Sequence, residues 1–411
     1  MCIKRMKRFV SYFGLMLSLV LIMGCKATGL VNLQTGNSLA DQNWRGEQTS
    51  FTVPFEWHDG HPIILLTING IPDLRFALDS GAAATVMFET ERTQAVKIEV
   101  EMQFDLQGAQ VDVVNDTTIQ IGQISLSDMT IIHVPIDQSP LFGSSDEAYF
   151  DGAIGYDVIN HFVTQVNYAD QTVTFFNPRS TITHSPDWVR LPMSLIGRIP
   201  HVSAKLQNQN EQRNAYTFTL DTGAPDYLYI NSSLAAGLTF PDSVFESTTK
   251  NFEGEHTLYT SRLDNFEIAG SRFDNIAAHD LPYFKDDNGI GLIGSGLLRN
   301  FDLVFDYENS FVAFKKNRAF STKTFIDRSG LQIEPHADGA IVKSVARNTD
   351  AERLGILPND IATRIDGVPI KADNFDTLRS VLSSEKTEVD LCWLSKKQTK
   401  CGILKLVNRI E

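Results

Sequence analysis

One block of sequence occurs twice in this chain, and that duplication narrows the fold more than any single motif does. The first copy runs through His61-Pro62-Ile63-Ile64 and then Phe76-Ala77-Leu78-Asp79-Ser80-Gly81-Ala82. The second runs through Ile199-Pro200-His201-Val202 and then Phe218-Thr219-Leu220-Asp221-Thr222-Gly223-Ala224. About seventy residues after each aspartate a further shared stretch follows. It reads Gly152-Ala153-Ile154-Gly155-Tyr156-Asp157-Val158-Ile159 in one copy and Gly291-Leu292-Ile293-Gly294-Ser295-Gly296-Leu297-Leu298 in the other. Each is succeeded by a phenylalanine and a hairpin pattern, Val166-Asn167-Tyr168-Ala169-Asp170 or Val304-Phe305-Asp306-Tyr307-Glu308. Ordered blocks at matching separation predict two similar lobes, each presenting one aspartate.

The lobes should be mainly β. Runs rich in β-branched and aromatic residues recur at 63–68, 117–121, 172–176, 216–220 and 303–305, with few helical stretches between them. From Lys26 to about Ser50 the chain is polar and has no sustained apolar period, so 25–50 is expected to be a flexible tether. About 360 residues remain beyond it, enough for two or three folded units.

An Asp-Ser/Thr-Gly tripeptide alone is a weak signal, because strand-to-turn junctions use these residues freely. Here apolar residues precede it, alanine follows it, an Ile-Gly block lies downstream, and all of this occurs twice. With those features the chain resembles two fused copies of a retroviral-type (retropepsin-like) aspartic peptidase subunit, over roughly residues 52 to 318. The resemblance implies two closed β lobes, 51–180 and 184–318, forming a pseudo-dimer with Asp79 and Asp221 as the catalytic pair. Ser80 and Thr222 would tie the halves together through their hydroxyls, and Gly81 and Gly223 would let backbone amides approach the carboxylates. The aspartates can meet within one chain or across a homodimer; covalent linkage favours the first by raising effective concentration.

Such chemistry needs two carboxylates because neighbouring charges cannot both ionise, so the pair shares one proton. The ionised partner draws a proton from water, which attacks the peptide carbonyl while the protonated partner donates to the developing oxyanion. No metal or cofactor is required. Pepsin-like relatives place a hydroxyl after the glycine; here the residues are Ala82 and Ala224, which predicts an optimum from weakly acidic to neutral. Residues 104–110 around Gly108 and 251–256 around Gly254 are either substrate-covering flaps or plain surface hairpins. Neither carries the tyrosine of pepsin flaps, and their sequences differ, which predicts an asymmetric cleft.

Beyond Lys316 the pattern changes. Gly339-Ala340-Ile341-Val342, the run from Ala351 to Ile361 through Leu354-Gly355-Ile356-Leu357-Pro358-Asn359-Asp360, and Ile365-Asp366-Gly367-Val368-Pro369-Ile370 resemble a bacterial PDZ domain, spanning 322–409. A helix with Phe375, Leu378 and Leu382 on one face should follow. In that family a backbone nest captures a C-terminal peptide carboxylate, and Gly330, Leu331, Gln332 and Ile333 would form it. The module either binds such a peptide or only packs against the peptidase. Cys392 and Cys401 flank a hairpin tip between Lys396 and Lys397, and either pair as a disulfide or remain thiols.

The N-terminus carries Lys4, Arg5, Lys7 and Arg8 before fifteen mostly apolar residues, too few for a good transmembrane helix. Leu21-Ile22-Met23-Gly24-Cys25 resembles the bacterial lipoprotein signal, which implies a signal peptide 1–24 and a lipidated Cys25 anchoring the chain to a membrane. Lys26 in place of aspartate points to the outer membrane, with the protein facing the periplasm. Cleavage there would remove four basic and no acidic residues from 36 basic and 50 acidic, leaving a formal charge of −18. Nucleic acid is excluded as a partner on that balance. No His-Glu-x-x-His, Gly-x-Ser-x-Gly or phosphate-loop motif occurs, and the nine histidines are scattered. The expected function is peptide-bond hydrolysis on envelope proteins or peptides. The rival from another class is a lipoprotein that keeps this fold for peptide binding or scaffolding, although both aspartates are retained.

Overall fold

The computed structural model describes residues 37–408 except 41, 45–48, 59, 107, 140–147, 179–184, 208–212, 235–237, 239, 242–244, 252–253, 282–288, 325–326 and 372–373. The signal segment and Cys25 lie outside the described residues. The architecture is mainly β, and the described strands gather into four sheets. One draws on residues 42–154, one on 194–294, one on strands from both of these halves, and one on 331–405.

The duplication in the sequence is a duplication of topology. The strand Ile71–Leu78 delivers Asp79, and Arg213–Asp221 ends on Asp221. Both are apolar near the aspartate, with Phe76, Leu78, Phe218 and Leu220 buried, as strands covered on two faces must be. Each takes a parallel partner from the downstream Gly block: Leu78 lies opposite Ile154, and Leu220 opposite Ile293. Those partners, Gly152–Ile154 and Gly291–Gly294, pair antiparallel with Val86–Phe88 and Leu228–Ile230. These in turn pair parallel with Ile124–Val134 and Ile276–Asp280. The same crossing is built twice.

The hairpins that close each copy join into a common sheet. Its order is Val189–Pro192, Phe311–Lys316, Phe301–Asp306, Val163–Asn167, Thr172–Phe176 and Ser50–Pro54. At its centre Gln165 faces Val304 and Val166 faces Leu303. Counted from Gly152 and Gly291, Gln165 and Val304 are equivalent positions, so the register maps onto itself when the copies are exchanged. Aromatic rings fill one side: Phe51 stacks on Phe175 at 5.1 Å, and Phe301 meets Phe314 edge-on at 5.4 Å. A single apolar core runs through both halves, whereas residues 331–406 enclose their own.

In that C-terminal unit the helix Phe375–Leu382 turns Phe375, Leu378 and Leu382 into the core. Cys392 and Cys401 oppose each other across the terminal hairpin with Cα atoms 4.0 Å apart and are disulfide-bonded. Lys396 and Lys397 make the turn, both with positive φ. Among the described residues no helix is long and apolar enough to cross a membrane.

The expectation of a flexible tether over 25–50 fails for the described part of its second half. Asn37 is fully buried; its amide nitrogen donates to Asp157 Oδ2 at 3.0 Å and to the Thr130 carbonyl at 2.7 Å, and its oxygen accepts from the Thr130 amide at 2.7 Å. Gln42–Trp44 adds a strand to Ile124–Val134, and Trp44 packs edge-on against Phe51 and Phe162. Polar composition hid this because the anchor is one amide and one indole, with no periodicity to betray them. Replacing Asn37 with Ala strips the Thr130 amide and carbonyl of this partner and takes one of three donors from Asp157, which keeps those of Thr85. It should cost about 1–3 kcal/mol in chemical denaturation; an unchanged midpoint would mean that the segment is not docked.

Candidate active site

Asp79 and Asp221 lie where the halves meet, each carboxylate packed against the glycine that follows the other aspartate. What holds the loops there is a reciprocal exchange one residue further on. The Ser80 amide donates to Thr222 Oγ1 at 2.9 Å, and the Thr222 amide donates to Ser80 Oγ at 3.0 Å. Each hydroxyl then donates across the junction, Ser80 Oγ to the Leu220 carbonyl at 2.8 Å and Thr222 Oγ1 to the Leu78 carbonyl at 2.6 Å. Both side chains are buried, so all four bonds form away from competing water.

The glycines next in line are demanded by space. A Cβ on Gly81 would lie 2.5 Å from Asp221 Cγ, and one on Gly223 would lie 2.4 Å from Asp79 Cγ. Each glycine therefore packs on the carboxylate of the other half while donating its amide to its own, at 2.8 Å in both cases. The downstream blocks sit directly beneath. The Asp79 amide donates to the Ile154 carbonyl, Tyr156 N to Ala82 O at 2.8 Å, and Ser295 N to Ala224 O at 2.7 Å. Gly155 and Gly294 have no room for a side chain against the backbones of 82–84 and 224–226.

The electrostatics of the pair are not symmetric. Burial, the charge of Asp221 and the bond to it push Asp79 well above the ordinary carboxylate range. Burial also raises Asp221, but the Gly223 amide, the hydrogen bond from Asp79 and the positive field of His61 act against it. Both residues keep part of their surface open, so a reactant can reach them.

Several neighbours fall inside the repeated blocks or close to them, where the repeat assigned them no role. Tyr168 and Tyr307 have buried hydroxyls with no hydrogen-bond partner among the described residues; burial first, then the charge of Asp221 at Tyr168 and of Tyr156 and Asp79 at Tyr307, push both phenols up. His61 Nδ1 is likewise buried without a partner among the described residues. Asp226 meets His279 Nε2 at 3.0 Å and Tyr229 Oη at 3.3 Å; burial pushes it up, but His279, Arg379 and Tyr229 together hold it below the ordinary range.

Other candidate residues lie apart from this pair. Leu106 pairs with Ala109 beside Gly108 (φ 97°), and Asn251 pairs with Gly254, so both flap candidates are hairpins. The first rests on its own apolar cluster, which joins Val111 and Val113 to Ala84 and Phe88 just after Asp79. Side chains at 242–256 lie outside the described residues. In the loop before Leu331–His336 the donors are already engaged: the amides of Ser329 and Gly330 both donate to Asp327 Oδ1 at 2.9 Å, and Leu331 N donates to Ser329 Oγ at 3.0 Å. A peptide carboxylate would have to displace Asp327 from Gly330. Among the described residues no group of three or more His, Cys, Asp or Glu side chains is arranged to hold a metal. No protein-family model matches the chain, and no curated protein matches it.

Thr222→Val keeps the shape of the junction but strips its hydroxyl, leaving the Ser80 amide and the Leu78 carbonyl buried and unpaired. The loss should be about 2–5 kcal/mol, with Thr222→Ser retaining most of the stability. Equal stability of the Val and Ser variants would show that the exchange does not hold the halves together.

Proposed function

We propose that this chain is an aspartic endopeptidase of the retroviral type. Its two fused lobes share the Asp79/Asp221 pair, and a PDZ-like unit follows them. The observation that carries the reading is the meeting of the two carboxylates at a reciprocal hydroxyl lock, each under the glycine of the other half. In this reading Asp221 is the ionised partner and takes a proton from an attacking water. Asp79 donates its proton to the carbonyl oxygen of the scissile bond, and the tetrahedral intermediate collapses as Asp221 passes its newly gained proton to the leaving amine and Asp79 takes back the hydroxyl proton. No covalent intermediate forms. Titration belongs to the pair, and its upward displacement moves the singly protonated, active form away from strong acid.

Lipidation at Cys25 would hold the enzyme at the envelope facing the periplasm, with envelope proteins or peptides as substrates. Because Asp327 occupies the Gly330 amide and Ser329 Oγ the Leu331 amide, the PDZ-like unit in this reading does not capture terminal carboxylates at 330–333 without rearrangement.

The test compares cleavage of a mixed peptide library by the chain from Lys26 onward, which keeps the docked segment around Asn37 and Trp44, with cleavage by Asp79→Asn and Asp221→Asn. Each substitution should reduce turnover by about 10³-fold or more, and the wild-type rate should peak between weakly acidic and neutral pH. Equal cleavage by all three would leave the scaffolding reading in place. Loss in one variant alone would contradict a shared dyad, and a peak in strong acid would contradict the upward displacement.

A further inference from the structure

Thr85, six residues past Asp79, closes the loop that carries the first aspartate, and it is fully buried. Its amide donates to Asp157 Oδ2 at 2.9 Å and its hydroxyl to Asp157 Oδ1 at 2.7 Å. Asp157 belongs to the helical turn Tyr156–Ile159, whose first amide already supports the loop at Ala82. Its carboxylate therefore pins the end of the loop to the block beneath it. A third donor reaches this pin from far off in the sequence: Asn37 Nδ2 lies 3.0 Å from Asp157 Oδ2.

The arm that brings Asn37 there is fastened on both sides of the pin. Asn37 bridges to Thr130, and the Ile132 amide two residues on donates to the Thr85 carbonyl at 3.0 Å, so arm and loop are tied to one strand, Ile124–Val134. His161, just past the helical turn, donates Nε2–H to the Asn37 carbonyl at 2.7 Å and accepts the Gln42 side-chain amide on Nδ1 at 3.1 Å. A carboxylate withdrawn from water keeps its charge only while donors surround it. Burial pushes Asp157 up, and Thr85, Asn37 and the charge of Arg198 act against that rise. Without Asn37 the carboxyl binds a proton more readily, and a protonated Asp157 turns a donor toward the donors of Thr85.

Among the described residues the second half has no such pin. Counted from the aspartates and from the downstream Gly blocks, Tyr227 stands at the position of Thr85 and Gly296 at that of Asp157. Backbone contact replaces the carboxylate there: Gly296 N donates to the Asp226 carbonyl at 3.0 Å, and a Cβ on Gly296 would lie 2.7 Å from the Asp226 carbonyl carbon. The arm acts on the loop of Asp79 alone.

We propose that the N-terminal arm, Asn37–Leu39 with Gln42–Trp44, is a working part of the candidate active site, in which Asn37 is a positioning residue that fixes the loop of Asp79 through Asp157 and Thr85. The consequence for turnover rests on the peptidase reading. The proposal adds to that reading a stretch outside the duplicated blocks that full activity requires.

The test compares the chain from Lys26 onward with Asn37→Ala, Asp157→Ala, the double variant and Asp157→Asn, on one peptide identified in the library cleavage and well below each melting temperature. Asn37→Ala should lower kcat about tenfold with KM within about twofold, because a slightly displaced loop misaligns Asp79 without altering the cleft walls. A looser junction between two carboxylates relieves their repulsion, so the basic limb of the pH profile should move to lower pH by about half a pH unit or more. His61, Tyr168 and Tyr307, the other titratable groups facing the pair, are unaltered in every variant. Asp157→Ala should lose at least as much, and adding Asn37→Ala to it should cost nothing further, because the pin is already gone. Asp157→Asn should keep most of the activity: its oxygen can accept both amides while the Thr85 hydroxyl turns to accept from its nitrogen. Wild-type kcat and pH profile in Asn37→Ala, or losses that multiply in the double variant, overturn the coupling and leave the peptidase reading standing. If the wild-type chain cleaves nothing, carboxyl NMR of Asp79 decides. A titration lowered by Asn37→Ala keeps the coupling and sinks only the peptidase; an unmoved one sinks both.

Discussion

Everything at the centre of this molecule depends on two hydroxyls crossing a boundary. Ser80 and Thr222 each accept the amide of the other and donate to a carbonyl beyond it, so the two loops are fixed relative to one another by four buried bonds. A net contribution of about 1 kcal/mol per bond is modest beside the shared core of the two halves. Its value is positional. Dispersion and burial bring the halves together, but only directional bonds at the junction decide where two carboxylates one residue away will point. The paired glycines complete that constraint, because any side chain at either would push the opposite carboxylate aside.

From this follows an inequality between aspartates that the sequence presents as equals. A symmetric pair would hold its proton on either side. Here the positive field of His61 falls on Asp221, whereas the equivalent position in the second copy is Ile199, which carries no charge. The surroundings diverge further out, where Asp226 is tied to His279 and a helix from the C-terminal unit approaches on one side only. The two aspartates thus stand in similar loops with different surroundings.

The repeated blocks were legible because they are local: a strand, a turn tripeptide and a glycine-rich support each occupy consecutive residues. The strands expected at 63–68, 117–121, 172–176, 216–220 and 303–305 all fall within observed strands. Contacts made by single residues over long separations were not legible. Nothing in the order of residues announces that Asn37 will satisfy Asp157, that the closing hairpins will share one sheet, or that Ser295 will bond Gly60. The glycine at 330 suggested an anion nest, yet Asp327 three residues earlier takes its amide, a competition visible only once the loop is folded.

The central claim is that Asp79 and Asp221 share a proton within one chain. Carbon-detected NMR of carboxyl-labelled aspartate, with assignments from single substitutions, reads it directly. Asp79 should titrate well above the ordinary carboxylate range in the wild-type chain, and Asp221→Asn should lower that titration, because the neighbouring charge is removed while burial remains. An ordinary titration of Asp79, or a raised one that Asp221→Asn leaves untouched, would contradict the account.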